Sequence, residues 1–281
     1  MKDRVHAVLI VCITLGLAGC GSQMNKQAVM SSSSGPASTA ATTDSTVNPT
    51  VLSNLHTQAG NWQSFGQAGP DYVDCSAPCS ESSWEQIFGV TDPSLSGNAT
   101  MFDLDPRIPY ADALFTAGVV GVNSPQIPDK THTLLPSLHH FIYDTDFYVT
   151  NPGATQALEF DISVWMSGIA GGTFGTECAH LGDGMWDIWN NATGHWESTG
   201  IPCQFVKGWN HFTLQVQRQA DNSLLYESIA LNGKTYTLNK VSASIMAPAG
   251  WWGINVNYQM DSNYLGTPNT TYLDNFSFTY W

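Results

Sequence analysis

Charged side chains are scarce in this chain of 281 residues, where Asp, Glu, Lys and Arg together make up 11%. A typical soluble domain carries roughly a quarter. Basic residues are the scarcest, because 9 Lys and Arg stand against 23 Asp and Glu and give a formal net charge of −14. So few cations cannot form the positive patch that binds nucleic acid or an anionic membrane surface. We therefore expect no nucleic-acid partner, and we expect polyanionic polysaccharides to be repelled.

Helical periodicity is the second feature that the sequence lacks. No amphipathic stretch of about twelve residues or more is present, whereas apolar and polar residues alternate with a period of two at 158–166, 211–217 and 253–261. Asn232-Gly233, between two apolar runs, is a strong hairpin signal. About a dozen predicted strands are too many for an immunoglobulin domain. We predict that residues 56–281 form a single all-β domain, a jelly-roll sandwich of two antiparallel sheets.

The amino-terminal segment predicts export from the cytoplasm. Lys2 and Arg4 precede the apolar run Ala7 to Ala18, which is too short to span a bilayer and is typical of a signal peptide. Residues 1–20 end in Leu17-Ala18-Gly19-Cys20, which resembles the bacterial lipobox. That resemblance implies cleavage before Cys20 and lipidation of this residue. The alternative is an ordinary secretory signal.

Residues 21–55 are rich in Ser, Thr, Ala and Gly, and such a segment is predicted to be a flexible linker. Gly21 and Ser22 follow the lipidation site, so the Asp that retains lipoproteins at the inner membrane is missing. By resemblance to that sorting rule we expect the outer membrane of a bacterial cell envelope. The membrane would then be a partner through the lipid on Cys20, with the folded domain outside the cytoplasm.

The remaining cysteines predict disulfide bonds. Outside the signal peptide and the lipidation site, the sequence contains Cys75, Cys79, Cys178 and Cys203. An even number in an oxidising compartment favours two disulfides, for which three pairings exist. We favour Cys75–Cys79, which closes a turn, and Cys178–Cys203, which joins two strands. The alternative is a zinc site in which Cys75 and Cys79 act with His180.

A family resemblance is carried by four segments. Trp209 to Val216, followed by Leu225-Tyr226 and Leu231-Asn232-Gly233, resembles the strand and hairpin of laminin-G-like and concanavalin A-like lectin and glucanase domains. Tyr272 to Phe278 resembles their closing strand. Residues 158–281 are also similar to a group of bacterial secreted lipoproteins of unestablished function. The resemblance implies a concanavalin A-like fold more firmly than an activity.

The same resemblance implies a structural calcium ion, because an Asp on the closing strand of this superfamily often binds one. Asp274 matches that position, and Asp71 or Asp74 could supply further oxygen ligands. The alternative is that Asp274 is simply exposed beside Asn275. No other cofactor is expected.

Three predicted strands carry polar side chains on the face opposite their apolar one. Amides, hydroxyls and carboxylates suit sugar hydroxyls, and an aromatic ring suits the C–H face of a sugar. The candidate carbohydrate-binding residues are Glu159, Asp161, Trp165, His211, Gln215, Asn255, Asn257 and Gln259. If the three strands are neighbours, these residues line one groove that binds a glycan or neutral polysaccharide. The alternatives are a plain solvent-exposed face and a structural or adhesion protein of the envelope.

Catalysis is the remaining question. Concanavalin-like glucanases carry Glu-x-Asp-x-Glu on one strand, and Glu159 and Asp161 match its first two positions. Ser163 stands at the third position and cannot protonate a leaving group, so Glu177 or Asp144 would have to supply the acid. We therefore predict a non-catalytic carbohydrate-binding module. A glycoside hydrolase that uses Glu159 and Asp161 is the alternative, and a lyase that uses His211 and Tyr258 is less favoured.

Overall fold

The computed structural model describes residues 48–68, 73–75 and 82–281, of which Pro49–Trp281 belong to one compact unit. Strands dominate, and the helices of this part are three 3-10 turns, Leu55–Thr57, Leu135–Ser137 and Pro152–Ala154. None of the helices in the described ranges has the length and apolarity needed to cross a bilayer. The strands are β1 (Thr50–Leu52), β2 (Trp62–Ala68), β3 (Val73–Cys75), β4 (Ser83–Val90), β5 (Ala99–Asp105), β6 (Ala111–Gly121), β7 (Ile127–Pro128), β8 (His140–Val149), β9 (Thr155–Met166), β10 (Ala170–Phe174), β11 (Thr176–Cys178), β12 (Met185–Asn190), β13 (His195–Pro202), β14 (Gly208–Arg218), β15 (Leu224–Leu231), β16 (Lys234–Ser242), β17 (Trp252–Ser262) and β18 (Asn269–Tyr280).

The strands form two sheets that pack face to face. Sheet 1 has the order β16-β15-β14-β8-β18-β5-β4, and β1 pairs with β18. Sheet 2 has the order β13-β12-β11-β9-β17-β6-β2-β3, with β10 paired to β9 and β7 paired to β6. Pairing along both sheets is antiparallel, and the short β6–β7 pair is parallel. The predicted fold class, a jelly-roll sandwich of two antiparallel sheets, is confirmed.

The core lies between the sheets and follows the alternation of the sequence. Phe160 on β9 stacks on Phe212 of β14, with ring centroids 4.3 Å apart, so the two sheets meet through aromatic side chains. The apolar residues that alternation assigns to the inside are all buried: Phe160, Ile162, Val164, Phe212, Leu214, Val216, Ile254, Val256 and Tyr258. Successive side chains of a strand point to opposite faces of its sheet, so the polar residues between these apolar ones lie on the outer faces.

The predicted disulfide between Cys178 and Cys203 is present, with a Cα–Cα distance of 5.5 Å. It joins the end of β11 to the segment after β13, and both cysteines are buried. Closing a loop of this size stabilises a protein by about 3 kcal/mol. The predicted Cys75–Cys79 bond lies outside the described residues, as do the signal peptide and its Cys20.

The folded part begins before residue 56, the predicted start of the domain. Strand β1 pairs residue by residue with the last strand, Thr50 opposite Tyr280 and Leu52 opposite Phe278. The end of the segment predicted as linker is therefore part of sheet 1, and the rest of that segment up to residue 47 lies outside the described residues. A three-residue edge strand is too short for its sequence to show a period.

Candidate functional site

The candidate site is the outer face of sheet 2 around β9 and β17. These strands are direct neighbours, and their registers place Gln259 opposite Glu159, Asn257 opposite Asp161 and Asn255 opposite Ser163. Two predicted strands of polar residues thus share one face of sheet 2, named here the β9–β17 face. Glu159, Asp161 and Asn257 are buried in it, whereas Trp165, Asn255 and Gln259 are partly exposed. Six of the eight candidate residues lie on it: Glu159, Asp161, Trp165, Asn255, Asn257 and Gln259.

Hydrogen bonds hold two amides of this face, Gln259 and Asn257, in fixed orientations. Gln259 donates from Nε2 to Glu159 Oε1 at 2.7 Å and to Asp261 Oδ1 at 3.1 Å. Asn257 donates from Nδ2 to Ser163 Oγ at 3.1 Å, and Ser163 shares a 2.9 Å hydrogen bond with the Thr173 hydroxyl of β10. These bonds fix the donor side of both amides, and only Gln259 of the two is partly exposed.

Trp165 forms one end of the β9–β17 face. It stands between two glycines on the neighbouring strands, Gly171 of β10 and Gly253 of β17. A Cβ atom at Gly171 would lie 2.4 Å from Trp165 Cε3, so only glycine leaves room for the ring. The ring of Trp251 meets that of Trp165 edge to face at 5.1 Å, and both side chains are partly exposed. An accessible indole pair thus adjoins the polar residues.

A cluster of carboxyl groups forms the floor of the face. Glu159, Asp161, Glu177 and Asp261 are each at most 5% exposed, and among the described residues no Lys or Arg lies within ion-pair distance of them. Asp112 of β6 stands opposite Asp261 and is equally buried. Burial disfavours the charged form of a carboxyl, so this cluster holds protons at higher pH than an exposed one.

The pKa values follow from that burial. Desolvation raises the pKa of Asp161 to about 7. The hydrogen bond from the Thr176 backbone N–H opposes this rise, and the charge of Asp261 adds to it. Desolvation likewise raises the pKa of Asp261 to about 7, against hydrogen bonds from Gln259 and Tyr110. The pKa values of Glu159 and Glu177 also rise well above the ordinary range, through desolvation first and the neighbouring carboxylates second. Titration near neutral pH is typical of functional sites.

Glu177 is the residue that β11 adds to the floor. It lies directly opposite Glu159 across the β9–β11 pair and opposite Asp187 across the β11–β12 pair. Directly opposed residues of antiparallel strands have Cβ atoms about 4.5–5.5 Å apart. Gln156 forms a side-chain hydrogen bond with Glu177. The Oε1 atom of Gln156 is buried without a partner in the part of the chain that the structure describes. Two carboxyl groups therefore face each other on neighbouring strands.

Two candidate residues do not belong to this face. His211 and Gln215 lie on β14, which is in sheet 1 between β15 and β8. Their side chains are therefore on the outer face of sheet 1, on the opposite side of the sandwich from the β9–β17 face. The prediction that all three strands line one groove is wrong. Alternation shows that a strand has one polar face, but it does not show which sheet the strand joins. Asp144 also lies in sheet 1, which excludes it as the acid for Glu159.

The residues proposed for a lyase are separated as well. Tyr258 is fully buried in the core, where its hydroxyl donates to Thr271 Oγ1 at 2.7 Å, while His211 is exposed on the outer face of sheet 1. The two side chains therefore lie on opposite sides of sheet 1. This arrangement excludes them as a catalytic pair.

Asp274 has a different environment from the one the calcium prediction needs. Its carboxylate accepts from five donors: Ser94 Oγ, Leu95 N, Ser96 N, Ser96 Oγ and Asn275 N, at 2.6–3.0 Å. Burial alone would raise its pKa, but the hydrogen bonds from Ser96, Ser94 and Leu95 hold the pKa of Asp274 well below its ordinary range. Hydrogen-bond donors already point at both carboxylate oxygens of Asp274, and their positive hydrogens would repel a cation. The surroundings of Asp274 therefore do not fit calcium.

Most of the other residues named for metal binding lie outside the part of the chain that the structure describes. Asp71 and the side chains of Asp74, Cys75 and Cys79 lie outside the described residues. In the described ranges, no group of three or more His, Cys, Asp or Glu side chains is arranged to hold a metal ion.

Known proteins are similar to this chain at low sequence identity only. No family model and no curated protein matches the sequence. Similar solved structures include a carbohydrate esterase from Shiga toxin-encoding bacteriophage phi24B (12% identity, 83% of this chain and 99% of that chain, TM-score 0.42). They also include an alginate lyase of polysaccharide lyase family 7 (14%, 79% and 94%, 0.36) and the carbohydrate recognition domain of Emp47p (9%, 79% and 97%, 0.34). The identities to these proteins are 14% or less, so function is argued from the residues of this chain.

Proposed function

We propose that the β9–β17 face binds a neutral polysaccharide. The observation that carries the proposal is that Trp165, Asn255 and Gln259 are partly exposed along the same face of two neighbouring strands. Oriented amides suit sugar hydroxyls, and an accessible indole suits the apolar face of a pyranose ring. The carboxyl floor disfavours uronates and sulfated sugars, because each further negative charge would be brought next to buried acids.

Binding is tested by titrating the protein with soluble neutral glucans, xylans and mannans in a calorimeter. We expect one of these classes to bind, and we expect Trp165→Ala to weaken its affinity about tenfold or more, because the stacking surface is lost. Gln215→Ala is the matched control, since Gln215 is a half-exposed polar residue on the other sheet. The proposal is wrong if no neutral glycan binds, or if Gln215→Ala weakens binding as much as Trp165→Ala.

The second candidate function is glycoside hydrolysis, which the facing carboxyls of Glu159 and Glu177 favour. A separation of about 5–5.5 Å between two carboxyl groups is that of a retaining mechanism, with one nucleophile and one acid. If this pair is catalytic, Glu159→Gln and Glu177→Gln each lower sugar release about a thousandfold or more while glycan binding persists. If the unaltered protein binds glycans but releases sugar from none of them, hydrolysis is excluded and binding is the function.

We also propose that the chain is attached to the cell envelope through a lipid on Cys20. The lipobox-like sequence and the Ser- and Thr-rich segment after it support this proposal. Cells grown with an alkyne-labelled fatty acid should incorporate the label into the protein, and Cys20→Ser should abolish labelling and release the protein from the membrane fraction. Labelling that persists in Cys20→Ser would contradict the assignment of Cys20.

A further inference from the structure

A second tryptophan shares the outer face of sheet 2 with Trp165. Trp196 of β13 lies directly opposite Trp189 of β12, and Trp189 follows Asp187 by two residues on the same strand. Asp187 lies opposite Glu177 of the carboxyl floor. Directly opposed residues of neighbouring strands point to the same side of a sheet, as do residues two apart on one strand. Trp196 is therefore on the outer face of sheet 2, like Trp165.

Both indoles lie against glycines of one segment, β10 and the start of β11. A Cβ atom at Gly171 would overlap the ring of Trp165. A Cβ atom at Gly175 would lie 2.8 Å from Trp189 Cβ and 3.2 Å from Trp196 Cη2. Glycine thus makes room for an indole at both positions. The two glycines are four residues apart, which at an extended rise of about 3.3 Å per residue is about 13 Å.

Thr173 lies midway between these glycines, with its side chain on the same face. It stands opposite Ser163 of β9, and the two hydroxyls share a 2.9 Å hydrogen bond. Asn191 holds the Thr173 backbone by accepting from its N–H at 2.8 Å and donating to its carbonyl at 3.0 Å. Trp165, Thr173 and Trp196 are all partly exposed. An indole, a hydroxyl and a second indole therefore follow one another along the surface, named here the tryptophan row.

The chemistry of the tryptophan row matches that of an unbranched sugar chain. Indoles suit the C–H faces of pyranose rings, and a threonine hydroxyl both donates to and accepts from sugar hydroxyls. Trp189 packs edge to face against Trp196, at 5.3 Å between ring centroids, and so supports a ring that stays partly exposed. A ligand on this row lies along the exposed surface and does not enter between packed rings. A separation of about 13 Å exceeds one pyranose ring, so a monosaccharide cannot contact both indoles.

We propose that Trp196 is a second sugar-stacking residue, and that the site binds an unbranched neutral oligosaccharide long enough to run from Trp165 over Thr173 to Trp196. The inference rests on the proposed function of the β9–β17 face and adds chain length as a determinant of affinity. Short ligands contact Trp165 alone. Longer ligands contact both indoles, and two contacts made by one chain reinforce each other.

Chain length is tested by calorimetry on the full chain in a non-ionic detergent, with oligosaccharides from the monosaccharide to the hexasaccharide of the neutral glycan that binds. We expect affinity to rise about tenfold or more between the disaccharide and the shortest oligosaccharide that spans the tryptophan row, and then to level off. Equal affinity for all lengths overturns this inference and leaves the proposed function standing. Failure of every neutral glycan to bind overturns both.

Variants assign the length dependence to Trp196. Trp196→Ala should weaken hexasaccharide binding about tenfold and leave disaccharide binding unchanged, and Trp196→Phe should weaken the hexasaccharide less. Trp165→Ala should weaken both ligands. Trp209→Ala is the matched control, because Trp209 is a partly exposed tryptophan on the outer face of sheet 1. Equal losses for the two ligands in Trp196→Ala would assign Trp196 a structural role and contradict the proposal.

A measurement on the unaltered protein covers the case in which Trp196→Ala does not fold. With ¹⁵N-labelled tryptophan, the hexasaccharide should shift the indole N–H signals of both Trp165 and Trp196, whereas the disaccharide should shift that of Trp165 alone. The Trp209 signal should stay in place with either ligand. A hexasaccharide that shifts the Trp165 signal but not the Trp196 signal overturns the inference.

Discussion

Asp274→Asn lowers the free energy of unfolding by about 3–5 kcal/mol, which is the usual cost of breaking a buried hydrogen-bonded charge network. The Asp274 carboxylate is fully buried and accepts from the loop Ser94–Ser96 and from the Asn275 backbone N–H. Asparagine keeps one acceptor oxygen but turns an NH₂ group toward N–H donors, so at least one buried group loses its partner. Chemical denaturation at pH 7 measures the loss.

The pH dependence distinguishes this explanation from a simple packing defect. The pKa of Asp274 lies below its ordinary range, so its stabilising contribution is present above about pH 4 and is lost as the pH falls through the folded-state value. The difference between the variant and the unaltered protein should therefore shrink at pH 3. Asp105→Asn is the control, because Asp105 forms an exposed ion pair with Arg107 and should cost less than about 0.5 kcal/mol. Equal losses for the two variants would contradict the role given to Asp274.

The sequence predicts the fold well because burial imposes a period that can be counted. At Phe160, Ile162 and Val164 the alternation marks the inner face of β9, and the structure buries all three. The same counting predicts that Glu159, Asp161 and Trp165 share the opposite face. Local pattern is sufficient here because a strand's two faces are determined by its own residues.

Long-range pairing is the part that the sequence does not reveal. His211 and Gln215 show the same alternation as Asn255 and Gln259, yet β14 joins sheet 1 and β17 joins sheet 2. Glu177 lies in a strand of three residues, too short to display a period, although its pairing with Glu159 completes the carboxyl floor. Asp274 depends on backbone N–H groups about 180 residues earlier in the chain, and side-chain sequence carries no signal for them.

Raising the pH from 5 to 8 lowers the free energy of unfolding by about 3 kcal/mol, because protons must leave a buried carboxyl cluster. Burial raises the pKa of Asp161 to about 7, and that of Asp261 to about 7. Their contribution to stability, relative to the unfolded chain, is therefore fully present only below about pH 4 and is lost as the pH rises through 7. Glu159 and Glu177, with raised pKa values, act in the same direction. His56 and His180 act oppositely, since burial lowers the pKa of each, but four carboxyls outweigh two imidazoles.

Asp161→Asn identifies the cluster as the source of this pH dependence. Asparagine mimics the protonated acid, and its Oδ1 can still accept from the Thr176 N–H, which lies 3.0 Å from Asp161 Oδ1. The variant should be more stable than the unaltered protein at pH 8 by about 1–3 kcal/mol, and its loss between pH 5 and pH 8 should be smaller. Asp105→Asn, remote from the cluster, should keep the original pH profile. Removing the negative charge of Asp161 also relieves Glu159. A variant that is less stable than the unaltered protein at pH 8 would therefore contradict this explanation.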